Sequence, residues 1–166
     1  MIRLLLVMLC VLLFALALRG MRAGWRHRAE RQGELPPLPA PPADPGPALV
    51  DTLSGVYVGT AFAASWQDRV VANGLGPRAN ASATLTESGV VVTRDGADAV
   101  FLPFEVIIDA RLAPGLTGKV MGSGGLLVIR WRSGPAQLDT GLRADDKTLY
   151  AKWVQTINAK VKAVHG

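Results

Sequence analysis

The sequence predicts a mainly β protein: an amino-terminal transmembrane helix, then a small antiparallel barrel of about seven strands capped by a carboxy-terminal helix. Three observations carry this prediction. The chain opens with an uninterrupted apolar run. From about Leu49 it consists of short β stretches separated by glycine-bearing turns. It ends in one amphipathic segment, whose apolar face can cover the open end of a barrel too small to fill itself.

The apolar run, Leu4 to Leu18, predicts a membrane helix. As a helix it would be about 22 Å long, which is shorter than the hydrocarbon core of about 30 Å. The helix-compatible sequence Ile2 to Met21 reaches about 30 Å, and the arginines at its two ends can extend their charges to the headgroups. We therefore predict that residues 1–21 form a transmembrane anchor.

The charges around this run predict its orientation. Arg3 precedes it, and five arginines follow it: Arg19, Arg22, Arg26, Arg28 and Arg31. The positive-inside rule then places everything after residue 19 in the cytoplasm, as the carboxy-terminal domain of a single-pass protein of the cell membrane. The alternative is a signal peptide cut after Ala17, because residues 15–17 read Ala-Leu-Ala, and an exported soluble ligand-binding domain would result.

The net charge of +5 is concentrated near the predicted membrane segment. Residues 1–31 carry +5, residues 32–49 carry −2 and residues 50–166 carry +2. Clustered arginines beside a bilayer attract anionic lipid. Binding to nucleic acid is not predicted, because it would need a basic stripe on the folded part.

Residues 22–48 are predicted to form an arginine-rich juxtamembrane segment and a proline-rich linker. The stretch "GELPPLPAPPADPGPAL" holds seven of the eleven prolines, which favours an extended polyproline II spacer. The alternative is a docking site for a proline-binding domain, because Pro36 and Pro39, and Pro39 and Pro42, have P-x-x-P spacing.

Residues 49–166 are predicted to form the folded domain. Its first strand is "GVYVGTAF", followed by the long loop "AASWQDRVVANGLGPRAN". The stretch "SATLTESGVVVTRDG" predicts a hairpin that turns near Ser88 and Gly89, and Asp95 with Gly96 predicts a second tight turn.

The next strands are predicted from alternation. We expect "AVFLPFEVIIDARLA" to be a half-buried strand. One face of it would carry Val106, Ile108, Ala110 and Leu112, and the other Glu105, Asp109 and Arg111. In "GLLVIRWR", Leu127, Ile129 and Trp131 face one way, and Arg130 and Arg132 face the other. The stretch "AQLDTG" follows after a turn.

The final helix is predicted to begin after Gly141, with Asp145 and Asp146 as capping residues. Its apolar residues recur at steps of three and four. They are Tyr150, Val154, Ile157, Val161 and Val164, with Leu149 and Trp153 beside them.

This order of elements resembles the pleckstrin-homology (PH) fold, in which a tryptophan of the final helix packs into the barrel. Trp153 in "DDKTLYAKWVQTI" matches that structural position. The stretches "YVGTAFAASWQDR", "GLTGKV", "GLLVIRW" and "LDTGLRADDK" resemble a family of small actinobacterial membrane proteins with a PH-like domain, over about residues 55–157. The resemblance implies this fold and a membrane location, and no activity.

Lipid-binding PH domains hold inositol phosphates with a lysine late in the first strand and an R-x-R motif in the second. Here Val56 to Phe62 contains no basic residue, and Arg78 is followed by Ala79 and Asn80. The sequence therefore departs from the phosphoinositide pattern.

No catalytic, cofactor-binding or metal-binding residues are predicted. The two histidines lie near the ends of the chain, and no cluster of His and Cys has the spacing of a zinc site. "GLTGKV" fails as a phosphate-binding loop, because residue 113 is alanine and Val120 follows Lys119.

The predicted function is therefore a non-enzymatic interaction or scaffold domain, whose partner is an unknown protein or an anionic lipid. A regulatory subunit of a membrane-associated complex is a further alternative. Trp66, an aromatic residue in a predicted loop, is a candidate partner anchor, or it packs under its own loop. Five basic residues are candidates for an anion site, or belong to solvated faces: Arg69, Arg78, Lys119, Arg130 and Arg132.

Overall fold

The computed structural model describes the backbone of residues 2–33, 35–116, 119–120 and 125–166, and the side chains of 7–20, 32–33, 35–116 and 125–166. The chain divides into two compact units, Met1–Glu34 and Leu35–Gly166.

The first unit is one helix, α1 (Ile2–Gly33), which contains the apolar run and the arginine cluster. Among the described residues, no helix is both long enough and apolar enough to cross a membrane. The predicted transmembrane span is therefore not supported.

The second unit, which we call the β unit, is a bent antiparallel sheet with one helix. Its elements are β1 (Leu53–Phe62), β2 (Ser65–Arg69), β3 (Ala79–Thr86), β4 (Gly89–Arg94), β5 (Ala97–Pro103), β6 (Ile107–Ala113), β7 (Gly115–Leu116), β8 (Lys119–Val120), β9 (Leu126–Ser133), β10 (Ala136–Ala144) and α2 (Tyr150–His165). Seven strands form the path β5-β4-β3-β1-β10-β9-β6. β2 pairs with β1, and β7 pairs with β8.

The seven-strand path, an open half-barrel, confirms the predicted mainly β domain with a carboxy-terminal helix. β1 lies at its centre, pairing with β3 over Leu53–Tyr57 and with β10 over Gly55–Phe62. A register shift between Tyr57 and Gly59 interrupts the β10 pairing. Such bulges increase the local bend of a strand, and a bent central strand helps the sheet curl around its core.

Helix α2 packs on the inner face of the sheet. Four of its side chains are buried at steps of three and four: Tyr150, Trp153, Ile157 and Val161. They join the main core cluster with residues from both halves of the sheet. The Trp153 side chain is fully buried, and its Nε1 donates to the carbonyl of Asp51 at 2.9 Å.

The start of the helix differs from the prediction. β10 continues to Ala144, and a 3₁₀ turn, Lys147–Leu149, precedes α2. Asp146 caps that turn, because its carboxylate accepts from the Thr148 amide at 2.9 Å. The Thr148 hydroxyl also donates to this carboxylate, at 2.6 Å. The two hydrogen bonds, the one from the hydroxyl most of all, lower the pKa of Asp146. The helix also leaves Val164 exposed.

Two strand predictions need correction. The stretch predicted as a long loop contains β2, which includes Trp66. The stretch "AVFLPFEVIIDARLA" is divided between β5 and β6 by a turn, in which Val106 N donates to Pro103 O at 3.1 Å. A register shift in β6 and the edge position of that strand leave Leu112 exposed.

The proline-rich segment does not form a free spacer. Leu35 belongs to the main core cluster, and Leu38 and Leu49 pack against it. The Leu49 amide donates to Leu85 O of β3 at 2.8 Å. Leucines occur among the prolines, so the segment has apolar side chains to bury. It packs against the main core cluster of the β unit.

Candidate interaction site

One end of the half-barrel, which we call the mouth, brings together three connections: residues 70–78, the β4–β5 turn and the β9–β10 turn. Asn73 Nδ2 donates to Pro36 O at 2.8 Å. A Cβ placed on Gly134 of the β9–β10 turn would lie 3.3 Å from Pro36 Cδ. The mouth is therefore in contact with the start of the proline-rich segment.

Arg94, at the end of β4, holds the mouth together from inside. It is only 4 % exposed. Its Nε and Nη2 donate to Asp98 O at 2.9 and 2.6 Å, and its Nη1 donates to Gly74 O at 2.7 Å. The guanidinium lies over the Tyr57 ring, 4.8 Å from its centroid. These contacts commit the cation to the protein's own backbone and ring.

The sequence analysis does not include Arg94 among the site residues. Its inward orientation follows from the period of two in β4, in which Val90 and Val92 face the core. Arg94 continues that series inward, where sequence reasoning expects an apolar side chain.

A buried chain of hydrogen bonds continues from Tyr57 across the sheet. Its hydroxyl donates to Leu75 O at 2.8 Å and lies 2.8 Å from Thr60 Oγ1. Thr60 Oγ1 lies 2.8 Å from Thr140 Oγ1, which accepts from Trp131 Nε1 at 2.9 Å. Burial raises the pKa of Tyr57 to about 12, despite Thr60 and the nearby arginines. Tyr57 therefore stays protonated at neutral pH and fixes the loop at Leu75.

The outer face of the sheet carries a row of charges. Asp109, Arg130, Asp139, Ala61 and Arg69 are successive cross-strand partners from β6 to β2. Arg130 makes a bidentate pair with Asp139, with Nε to Oδ1 at 2.8 Å and Nη2 to Oδ2 at 3.0 Å. The four charged members of the row alternate in sign, and opposite charges on neighbouring strands stabilise one another.

Asp139 is the centre of this row, because Arg111 Nη2 also donates to its Oδ2 at 2.5 Å. Only 6 % of its side chain is exposed. Burial alone would raise the pKa of Asp139, but the hydrogen bonds from Arg130 and Arg111 lower it below its usual value. The same carboxylate raises the pKa of Arg130.

The structure separates the predicted anion-site residues by role. Arg130 is engaged by Asp139, and Arg69 donates to Gly76 O at 2.7 Å and holds the loop 70–78. Arg78 and Arg132 are exposed. The Lys119 side chain lies outside the described residues. An anion site formed by these residues stays a prediction.

Trp66 remains a candidate anchor for a partner. It is 43 % exposed on β2, and Val71, just after that strand, is 63 % exposed. Within the described side chains, no group of three or more His, Cys, Asp or Glu residues could hold a metal ion.

Comparison with known proteins identifies the family to which this fold belongs. No curated protein matches the chain. A family model described as "Bacterial PH domain-like" matches residues 35–158, which include the leucines of the proline-rich segment, the seven-strand path and Trp153. The chain belongs to the bacterial PH domain-like family.

Proposed function

We propose that this protein is a non-enzymatic interaction domain held at a membrane by α1, with the β unit on the cytoplasmic side. Membership of the PH domain-like family supports the interaction role. Tyr57, Arg94 and Asp139 are buried polar groups whose hydrogen bonds are made within the protein. These bonds stabilise the fold, which supports a non-enzymatic role.

The observation that carries membrane attachment is the exposed apolar surface of α1. Large apolar side chains that are 51–67 % exposed occur on all sides of this helix: Val7, Met8, Leu9, Val11, Leu12, Leu13, Phe14 and Leu16. Among the described side chains, residues 7–16 of α1 show no polar face, and such a stretch of helix is typical of a lipid environment. Burying each such side chain is worth about 1.5–3 kcal/mol.

The exported alternative rests on the Ala-Leu-Ala triplet at residues 15–17. In α1 the helix continues without interruption from Ile2 to Gly33. A cleavage triplet normally follows the apolar region of a signal peptide, whereas this one lies inside the apolar run, which favours retention of the anchor.

A membrane-extraction experiment tests the attachment. We expect full-length protein to remain in the membrane pellet after an alkaline carbonate wash, and the double variant Leu9→Lys/Leu13→Lys to move to the supernatant. Trp66→Ala is the matched control, because it removes an exposed apolar side chain from the β unit only, and it should stay in the pellet. Extraction of wild-type protein by the wash would contradict the proposal.

A further inference from the structure

The chain's own proline-rich segment, Leu35–Pro41, contacts the mouth of the half-barrel. Leu35 is 9 % exposed in the main core cluster, and Leu38 packs against the same cluster. The prolines between and after them have exposed rings. Apolar contacts at a spacing of three are those of one face of a polyproline II helix.

The polar contact to this segment also suits a proline-rich peptide. Polyproline II has no internal hydrogen bonds, so its carbonyls need outside donors. Asn73 supplies one, with Nδ2 at 2.8 Å from Pro36 O. Asn73 is the one described non-glycine residue with a positive φ, 53°, a conformation that asparagine tolerates better than most residues and that is frequent at binding sites.

Gly134 lets the proline ring approach the β9–β10 turn. Its φ is +56°, and a Cβ there would lie 3.3 Å from Pro36 Cδ. A side chain at this position would therefore be strained and would press on the ring. Asn73 and Gly134, from two different connections, thus both contact the same proline.

Asn73, Asp98 and Gly134 form a surface at the mouth that we call the groove, and the chain's own segment leaves part of it unfilled. An open pocket of ≈ 460 Å³ lies beside it, lined by residues 38–41 of the segment and by Asn73, Asp98 and Ala99. The small side chain of Ala40 is on its wall, and exposed Asp98 adds an acidic residue. A peptide with a basic side chain in place of Ala40 would fill the space and complement Asp98.

We propose that the groove formed by Asn73, Asp98 and Gly134 binds an extended proline-rich segment of a partner protein that carries a basic residue, and that Leu35–Pro41 covers the groove in cis. This inference deepens the proposed function and rests on its binding role. It names the partner class: a protein with an exposed proline-rich stretch.

The test uses full-length protein in detergent micelles and a fluorescent peptide, Leu-Pro-Pro-Leu-Pro-Arg-Pro-Pro, which is residues 35–42 with arginine in place of Ala40. Leu35→Asp/Leu38→Asp should release the chain's own segment and increase peptide affinity at least about tenfold over wild type, because an intramolecular competitor is removed. Adding Asn73→Gly, which keeps the positive φ and removes the donor, should then weaken binding about fivefold.

Several outcomes would overturn the proposal. Equal affinity of wild type and released variant would show that the segment does not cover the site, and no effect of Asn73→Gly would show that the peptide binds elsewhere. Dimerisation of wild type that the leucine substitutions abolish would assign the groove to a second copy.

If the released variant does not fold, the single variant Leu38→Asp replaces it, because Leu38 is only partly buried and Leu35 keeps its place in the core. We expect it to bind the peptide more tightly than wild type does, and an affinity no higher than that of wild type would contradict the proposal. The peptide is measured in micelles, so its failure to bind would leave membrane attachment unaffected. Failure of membrane attachment would likewise leave peptide binding measurable.

Discussion

Single residues in this protein have roles that depend on their burial. Trp153 fills the space between α2 and the sheet, and it is fully buried. We expect Trp153→Ala to lower the free energy of unfolding by about 3–5 kcal/mol, because it leaves a large cavity. Urea denaturation measures this change. Val164→Ala, on an exposed position of the same helix, is the control and should change stability by less than about 0.5 kcal/mol. Equal midpoints for wild type and Trp153→Ala would refute the packing.

Asp139 gives the protein a pH-dependent stability. Its pKa is lowered in the folded state, so its contribution is present above the ordinary aspartate pKa and is lost as pH falls through the folded value. We expect wild-type stability to decrease on acidification below about pH 4. In Asp139→Asn that part of the decrease should disappear, and stability at pH 7 should fall by about 1–3 kcal/mol.

Asp109→Asn is the matched control for this experiment. Asp109 lies in the same row of charges, but its side chain is 40 % exposed and its contact with Arg111 is longer, at 3.3 Å. We expect a change of less than about 1 kcal/mol at pH 7. If the two variants had the same acid profile, Asp139 would not be the centre of the row.

Helix α2 also protects an edge of the sheet. β6 is an edge strand, and Asn158 of α2 bonds both backbone groups of Ala110, with Nδ2 to the carbonyl at 2.9 Å and Oδ1 to the amide at 2.8 Å. One side chain thus replaces a missing neighbouring strand at this residue.

We expect Asn158→Ala to destabilise the protein by about 1–3 kcal/mol, since two groups of buried Ala110 lose their partners. Hydrogen exchange of the Ala110 amide should become faster. Thr156→Ala removes a hydroxyl that bonds only within α2, so it is the control. Unchanged exchange at Ala110 in Asn158→Ala would contradict the edge contact.

Elements with strong local patterns were predicted, and elements defined by long-range contacts were not. The hairpin at Ser88–Gly89, the alternation around Trp131 and the apolar face of α2 all come from residues close in sequence. Asn158, Arg94 and the packed proline segment depend on partners far along the chain. Composition predicts that a proline-rich stretch is extended, but not what it contacts.

The same distinction applies to the candidate site. Trp66, Arg78 and Arg132 were predicted from residue type, and they are exposed. The charge of Arg69 and Arg130 predicts an anion site, but in the structure Arg69 bonds the loop carbonyl of Gly76 and Arg130 pairs with Asp139. The contact of Asn73 with Pro36 required the fold, because 37 residues separate the partners.

The whole molecule, as we propose it, is held at a membrane by α1 with its interaction domain in the cytoplasm. In this proposal the exposed apolar side chains of α1 contact lipid, and the arginines that follow the apolar run set the orientation. A proline-rich partner would then be sought among cytoplasmic proteins.

Membrane attachment and orientation are tested together by the protease accessibility of a carboxy-terminal tag in intact cells with the wall removed, read with the mass of the membrane-bound protein. We predict a full-length, membrane-bound protein with a protected tag. A tag digested from outside, or a soluble product shortened by about seventeen residues, would contradict the account and identify an exported domain.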